Sequence, residues 1–137
     1  MWLFYAILSA IFASATAILI KVGVRDMDSN LATAIRTSVV LLLSWGIVLF
    51  SGAFAQIKTI PKHCWMFLVL SGVATGLSWL CYFKALKLGE LSKVAPIDKL
   101  SVALTIFFAI FFLGETVDVK TVVGASVILV GVGILVF

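Results

Sequence analysis

The chain has 137 residues, of which 64% are hydrophobic and 12% charged, with a formal net charge of +4 and a mean hydropathy of +1.28. That composition excludes an ordinary soluble domain and marks an integral membrane protein. Most of the ten basic residues are spread along short polar connections rather than gathered in a patch, so the expected partner of the positive charge is anionic membrane lipid, and no nucleic acid is expected.

A membrane-crossing helix needs roughly 20 apolar residues to cover roughly 30 Å of hydrocarbon. Five runs meet that length: Trp2 to Ile20, Ala34 to Ala55, Trp65 to Phe83, Val94 to Leu113 and Thr121 to Phe137. They are long and lack the alternation of barrel strands, so the expected fold is an all-α integral membrane bundle of five transmembrane helices in one domain, residues 1–137.

The first run carries Trp2 and Tyr5 where aromatic rings favour the headgroup level. Its small residues Ala6, Ala10, Ala13, Ser14 and Ala17 permit a close helix neighbour. Ala13-Ser14-Ala15-Thr16-Ala17 has the look of a signal-peptide cleavage site, but no basic residue precedes the apolar stretch, so a retained span is expected. Val22 to Asn30 reads as a polar loop, with Asn30 as the cap of the second helix. Arg36 lies inside that second run, where charge is expensive. Either its long stem snorkels to the near surface, or its guanidinium pairs or meets a substrate. Gln56 to His63, with Lys58, Pro61 and Lys62, reads as an interfacial turn.

The third run contains Gly72-Val73-Ala74-Thr75-Gly76, a Gly-x-x-x-Gly element expected to pack tightly against another helix. Ser71, Thr75, Ser78 and Tyr82 form a separate polar stripe. Trp79 and Tyr82 near its end either line a pocket or form an interfacial belt. Cys64 and Cys81 are about 25 Å apart along this one helix, at 1.5 Å per residue, so they cannot bridge within it. With His63 the only histidine, no metal or cofactor is expected.

The fourth run holds the most unusual stretch, Ser92-Lys93-Val94-Ala95-Pro96-Ile97-Asp98-Lys99-Leu100-Ser101. Pro96 is expected to mark the start of the helix, because a proline disfavours helical geometry at the residue before it. Asp98 then falls in the first turn, either satisfying orphan N–H groups at the positive helix end or acting on a solute. Lys99 points about 100° away around an ideal helix, so adjacency alone does not pair it with Asp98. Ser101, Thr105 and Ala109 continue a polar, small stripe from Asp98, fit to line a cavity. In the last run Gly124 and Gly131 share a face suited to packing against another helix or another subunit.

Alternating spans put Arg36 and Asp98 on the same side of the membrane at similar depth. One charged layer of Lys21, Arg36, Asp98 and Lys99 is therefore expected, with Asp98 the single carboxylate against three cations. An anionic group on a solute or lipid would suit that excess. Loops one and three hold Lys21, Arg25, Lys84, Lys87 and Lys93, and the opposite side holds Lys58, Lys62 and Lys120. The positive-inside rule leans toward a cytoplasmic C-terminus, with a bias small enough to admit both orientations.

The run Trp79-Leu80-Cys81-Tyr82-Phe83-Lys84-Ala85-Leu86, the segment Leu88-Gly89-Glu90-Leu91-Ser92-Lys93-Val94-Ala95-Pro96 and the helix closing at Leu113-Gly114-Glu115 resemble the EamA-type domain of the drug/metabolite transporter superfamily. Members commonly have ten helices in two inverted five-helix repeats and export or exchange small metabolites. The resemblance covers one repeat. It implies a subunit that completes its pathway by pairing, as a homodimer (antiparallel if the inverted arrangement is kept) or with a second half-length protein. It also implies residence in the cell (inner) membrane of a prokaryote. The related four-helix multidrug exporters carry a glutamate in their first helix. No acidic residue occupies the first span here, so any coupling residue would be Asp98.

The leading expectation is a secondary transporter of small organic solutes working by alternating access. Asp98 and Lys99 would orient the pathway end of the fourth helix, Arg36 would balance Asp98 or meet an anionic group, and Ser78, Trp79, Tyr82 and Ser101 would line the cavity. A flippase for an anionic lipid or polyprenyl carrier and an accessory subunit of a heteromeric transporter are the alternatives. An enzyme is not expected, since no nucleophile has an evident base and no phosphate-binding loop is present.

Overall fold

The computed structural model describes residues 1–114 and 116–136, so Glu115 of the Leu-Gly-Glu motif and Phe137 lie outside the described residues. Five helical segments are long and apolar enough to cross a membrane, and no strand occurs among the described residues. They are α1 (Trp2–Gly23), α2 (Ser29–Phe50), α3 (Lys62–Leu88), a composite fourth span (Leu91–Leu113) and α6 (Val119–Val136). The fourth span consists of α4 (Leu91–Asp98), α5 (Leu100–Phe108) and a π-helical segment (Ala109–Leu113). A 3₁₀ segment (Ala53–Thr59) follows α2.

Two helix starts differ from the sequence expectation. The α2 cap is Asp28 rather than Asn30: its backbone is extended and its Oδ1 accepts the N–H groups of Asn30 at 2.9 Å and Leu31 at 3.1 Å. Two of the orphan donors of the first turn are thereby satisfied. The helix thus begins two residues before the start that an Asn30 cap implies, and Arg36 is its eighth residue. In the fourth span the helix begins at Leu91, after Glu90 in extended conformation, and Pro96 is its sixth residue. A proline there removes one donor, that for the carbonyl four residues back, and Gly89-Glu90 supply the break ahead of the helix instead.

The helix is then interrupted at Lys99, three residues past the proline. The Ser101 hydroxyl donates to the Asp98 carbonyl at 2.7 Å, while the Lys99 N–H turns to Pro96 O at 2.9 Å and the Val102 N–H to Lys99 O at 3.0 Å. A serine hydroxyl occupying a backbone acceptor is a known competitor of the helical ladder, and here it accompanies a tight turn. The span ends in a wide turn: the Gly114 N–H donates to Ala109 O, and Gly114 has φ 65°. An L side chain rarely adopts that conformation, which accounts for glycine at this closure and for Gly52, φ 72°, between α2 and the 3₁₀ segment.

The chain divides into two compact units, residues 1–18 with 88–137, and residues 19–87. In the first, α4 and α5 pack against α6, and Phe107 and Phe108 stack on Phe111 and Phe112 with centroids 4.7 and 5.8 Å apart. In the second, the 3₁₀ segment folds back on α2, bringing the rings of Phe54 and Trp45 to 6.2 Å. Burial in this second unit collects at one end, where α1 finishes, α2 begins and α3 finishes: Ile20, Val24, Ser29, Ala32, Thr33, Phe83 and Leu86. Two lysines fasten that end. Lys21 Nζ donates to Leu86 O and Lys87 Nζ to Met27 O, both at 2.6 Å. The Leu86 carbonyl is one of the last four of α3, which lack intrahelical donors, so a cation there also complements the helix dipole.

Candidate functional site

Arg36 projects from α2 onto the end of α3. Its guanidinium carbon lies 4.2 Å from the centre of the Trp79 ring and 5.9 Å from that of Phe83. Trp79 and Phe83 are four residues apart on α3, so their rings share one face. Trp79 is nine residues before the end of α3, about 13 Å at 1.5 Å per residue. The guanidinium therefore lies well within the span. A guanidinium is always ionised and presents five donors in a planar fork. The ring faces answer part of its charge through their quadrupoles, but they offer no lone pair, and Nη1 is buried without a hydrogen-bond partner among the described residues.

Thr33, one turn before Arg36, is buried with its hydroxyl donated to Ser29 O at 2.8 Å, and the Thr37 hydroxyl is donated to Thr33 O at 2.7 Å. Both hydroxyls are committed to the helix backbone. The arginine is left as the uncommitted donor on this face of α2. Sequence reasoning singled out Arg36 and Trp79 separately and missed Phe83, although the Trp79-x-x-x-Phe83 spacing was the available signal.

The second set of expected residues sits at the interruption of the fourth span. Lys99 Nζ lies 3.2 Å from Asp98 Oδ2, so the two neighbours do pair. The long, flexible lysine stem curls back to the neighbouring carboxylate despite the divergence of adjacent residues around a helix. Both side chains are open, Lys99 at 58% exposure and Asp98 at 41%. Ser101 is tied to Asp98 through the backbone bond described above. Of the remaining expected residues, Ser78 is exposed and Tyr82 half-buried on α3.

Each unit also holds a cavity. One of about 330 Å³ is lined by Thr105, Ala109, Thr116, Asp118 and Thr121 among others, so two members of the expected stripe, Thr105 and Ala109, do line a cavity. It lies at the end of the fourth span away from Asp98. Asp118 caps α6 there: its Oδ1 accepts the Thr121 hydroxyl and the Thr121 N–H, and these bonds, the hydroxyl first, hold its carboxyl below the usual value. The other, of about 490 Å³, is mostly apolar and is bounded by Trp45, Ile57, Cys64 and Trp65 among others. Among the described residues, no group of three or more His, Cys, Asp or Glu is placed to hold a metal ion.

Comparison with known proteins agrees with this architecture. The model of the EamA-like transporter family matches residues 1–137. A protein of Sinorhizobium sp., named as an uncharacterized transporter in the cobO 3′ region, is 47% identical over 130 residues, covering 95% of this chain and 92% of the relative. No solved structure matches. A match over the full described helical array, together with a relative covered over nearly its whole length, places this multi-pass membrane protein in the EamA-like transporter family.

Proposed function

We propose that the chain is a secondary transporter of small organic metabolites, working by alternating access and assembled as a dimer of five-helix subunits in a prokaryotic inner membrane. The observation that carries this reading is the interrupted fourth span. Transport sites are commonly built where a membrane helix is discontinuous, because freed backbone groups and charges are tolerated only beside a cavity or protein. Here the interruption coincides with the Asp98–Lys99 pair. The pair orients the pathway end of the fourth span, with Ser101 beside it.

The dimer is supported by the glycines. A Cβ added at Gly72, Gly76, Gly124 or Gly131 would meet no atom within 4 Å. Small residues in membrane helices serve close approach, and an approaching second subunit gives these positions that use. Gly76→Leu and Gly124→Leu are expected to leave the folded subunit intact while shifting cross-linked dimer to monomer. Undiminished dimer in both variants would remove the glycine faces from the interface.

The transport reading is tested by counterflow uptake in proteoliposomes with pooled amino acids, organic acids, nucleosides, phosphorylated metabolites and cationic drugs. Saturable uptake that falls in Asp98→Asn, at normal expression and melting temperature, is the expected result. Wild-type flux in that variant would sink the role of the pair.

A further inference from the structure

We infer that Arg36 and the Trp79–Phe83 face form a recognition site for an oxyanion, a carboxylate or phosphate group carried by a solute or by a lipid headgroup. The inference deepens the transporter reading by naming the chemistry of the cargo, and it rests on that reading only for the step from binding to transport.

The compact unit of residues 19–87 contains seven cations, Lys21, Arg25, Arg36, Lys58, Lys62, Lys84 and Lys87, and two carboxylates, Asp26 and Asp28. Asp28 is committed to capping α2, eight residues before Arg36, about 12 Å along the helix axis. Asp26 shares the same loop. In the other unit Asp98 holds Lys99. The two lysines nearest the fastened end spend their ammonium groups on carbonyls. Arg36 differs from all of these: it is inside a span, on aromatic rings, with one nitrogen buried and unbonded.

A buried, ionised donor left without an acceptor costs more than an ordinary lost hydrogen bond. Stability alone would favour leucine or methionine at this position. What the arrangement does provide is orientation. The Trp79 ring, 4.2 Å from the guanidinium carbon, restricts where the guanidinium can sit, and the N–H groups lie in the guanidinium plane and point along its edges. Two parallel N–H donors at one edge match the two oxygens of a carboxylate or phosphate, and the match strengthens where water is scarce. The rings thus restrain the fork, and an oxyanion that displaces the cover over Nη1 supplies the acceptor this nitrogen lacks.

The test reads Trp79 itself. In the full chain with Trp2, Trp45 and Trp65 replaced by Phe, Trp79 is the single tryptophan and reports on the group stacked upon it. The protein is placed in phosphatidylcholine nanodiscs and titrated with inorganic phosphate and with succinate, ionic strength being held with chloride. A parallel set of discs contains phosphatidylglycerol. A saturable change of Trp79 emission with the soluble anions assigns the site to solute oxyanions. A change only with phosphatidylglycerol assigns it to the headgroup.

Arg36→Gln is expected to weaken the response by about tenfold or more, the loss of a charged hydrogen-bonding partner. Should the glutamine variant fail to fold, Arg36→Lys keeps the charge without the fork and is expected to bind severalfold more weakly. No response to any of the three probes in folded protein, or unchanged affinity in either folded variant, overturns the assignment. Binding without flux would leave the oxyanion site standing and remove the transporter reading. Solute flux that is indifferent to Arg36→Gln would do the reverse.

Discussion

Arg36 and Lys99 are both cations inside membrane spans, and the protein treats them in opposite ways. Lys99 has its counter-ion in the preceding residue, 3.2 Å away, at a break in the helix where both side chains are open. Arg36 sits in unbroken helix, on two rings, with no carboxylate partner among the described residues and one nitrogen buried. The first arrangement is neutral as a whole, so its field falls off quickly with distance. The second retains a full positive charge in surroundings that screen it poorly. Sequence reading placed the centre of interest at Asp98 and offered Arg36 as a partner of Asp98 or of an anionic group; the geometry leaves Arg36 on aromatic rings with no carboxylate beside it among the described residues.

Flux measurements in proteoliposomes sharpen this contrast most. Arg36→Gln is expected to cut transport of an anionic substrate by about tenfold or more, with the melting temperature unchanged or raised, because an unpaired charge has been removed. Asp98→Asn leaves Lys99 charged and alone, whereas the double variant Asp98→Asn with Lys99→Gln removes both charges. The double variant is therefore expected to retain more flux than the single one. Equal loss in the two would mean that the carboxylate acts directly rather than as half of a pair.

A smaller effect concerns the platform. Trp79→Leu removes the ring beneath the guanidinium, and thermal unfolding should register a loss of about 0.5–2 kcal/mol, the range for cation–π contacts from exposed to desolvated settings. In the Arg36→Gln background the same substitution should cost less, since no cation remains above the ring. Additive losses in that cycle would show that Trp79 contributes by packing alone.

The smallest expected effect lies outside the membrane-spanning segments. Asp118 has its carboxyl held below the ordinary value by the Thr121 hydroxyl and N–H. A carboxylate with a depressed folded-state pKa contributes stability that is present above its unfolded value, and the contribution is lost as pH falls through the folded one. The protection factors of amides in the first turn of α6, with the pH-dependent intrinsic exchange rate divided out, should therefore be constant at neutral pH and fall only below about pH 4. In Thr121→Ala the fall should be smaller, because the folded and unfolded values then lie closer together.

Much of this architecture was legible in the sequence. Five spans follow from run length and hydropathy, which are local properties, and Arg36 and Asp98 stand out because charge inside an apolar run is conspicuous without any knowledge of neighbours. Helix boundaries were less accessible. Asp28 and Asn30 are equivalent as cap types, and only backbone geometry chooses between them. The break at Lys99 depends on a competition between the Ser101 hydroxyl and a backbone donor for Asp98 O, which periodicity does not register. The stacking of Arg36 on Trp79 joins residues 43 positions apart on different helices, a tertiary fact that no window along the chain contains.

The composite fourth span has a consequence for mapping experiments. An unbroken helix of 23 residues would give one angular phase, and cysteine accessibility plotted along it would follow a single sinusoid. The tight turn at Lys99 advances that phase, and the wide turn of Ala109–Leu113, with its bond from residue 114 to residue 109, retards it. A labelling scan from Leu91 to Leu113 should therefore resolve into three offset segments. A fit with one period would average the water-facing side of one segment with the lipid-facing side of the next, and the span would falsely read as uniformly half-accessible.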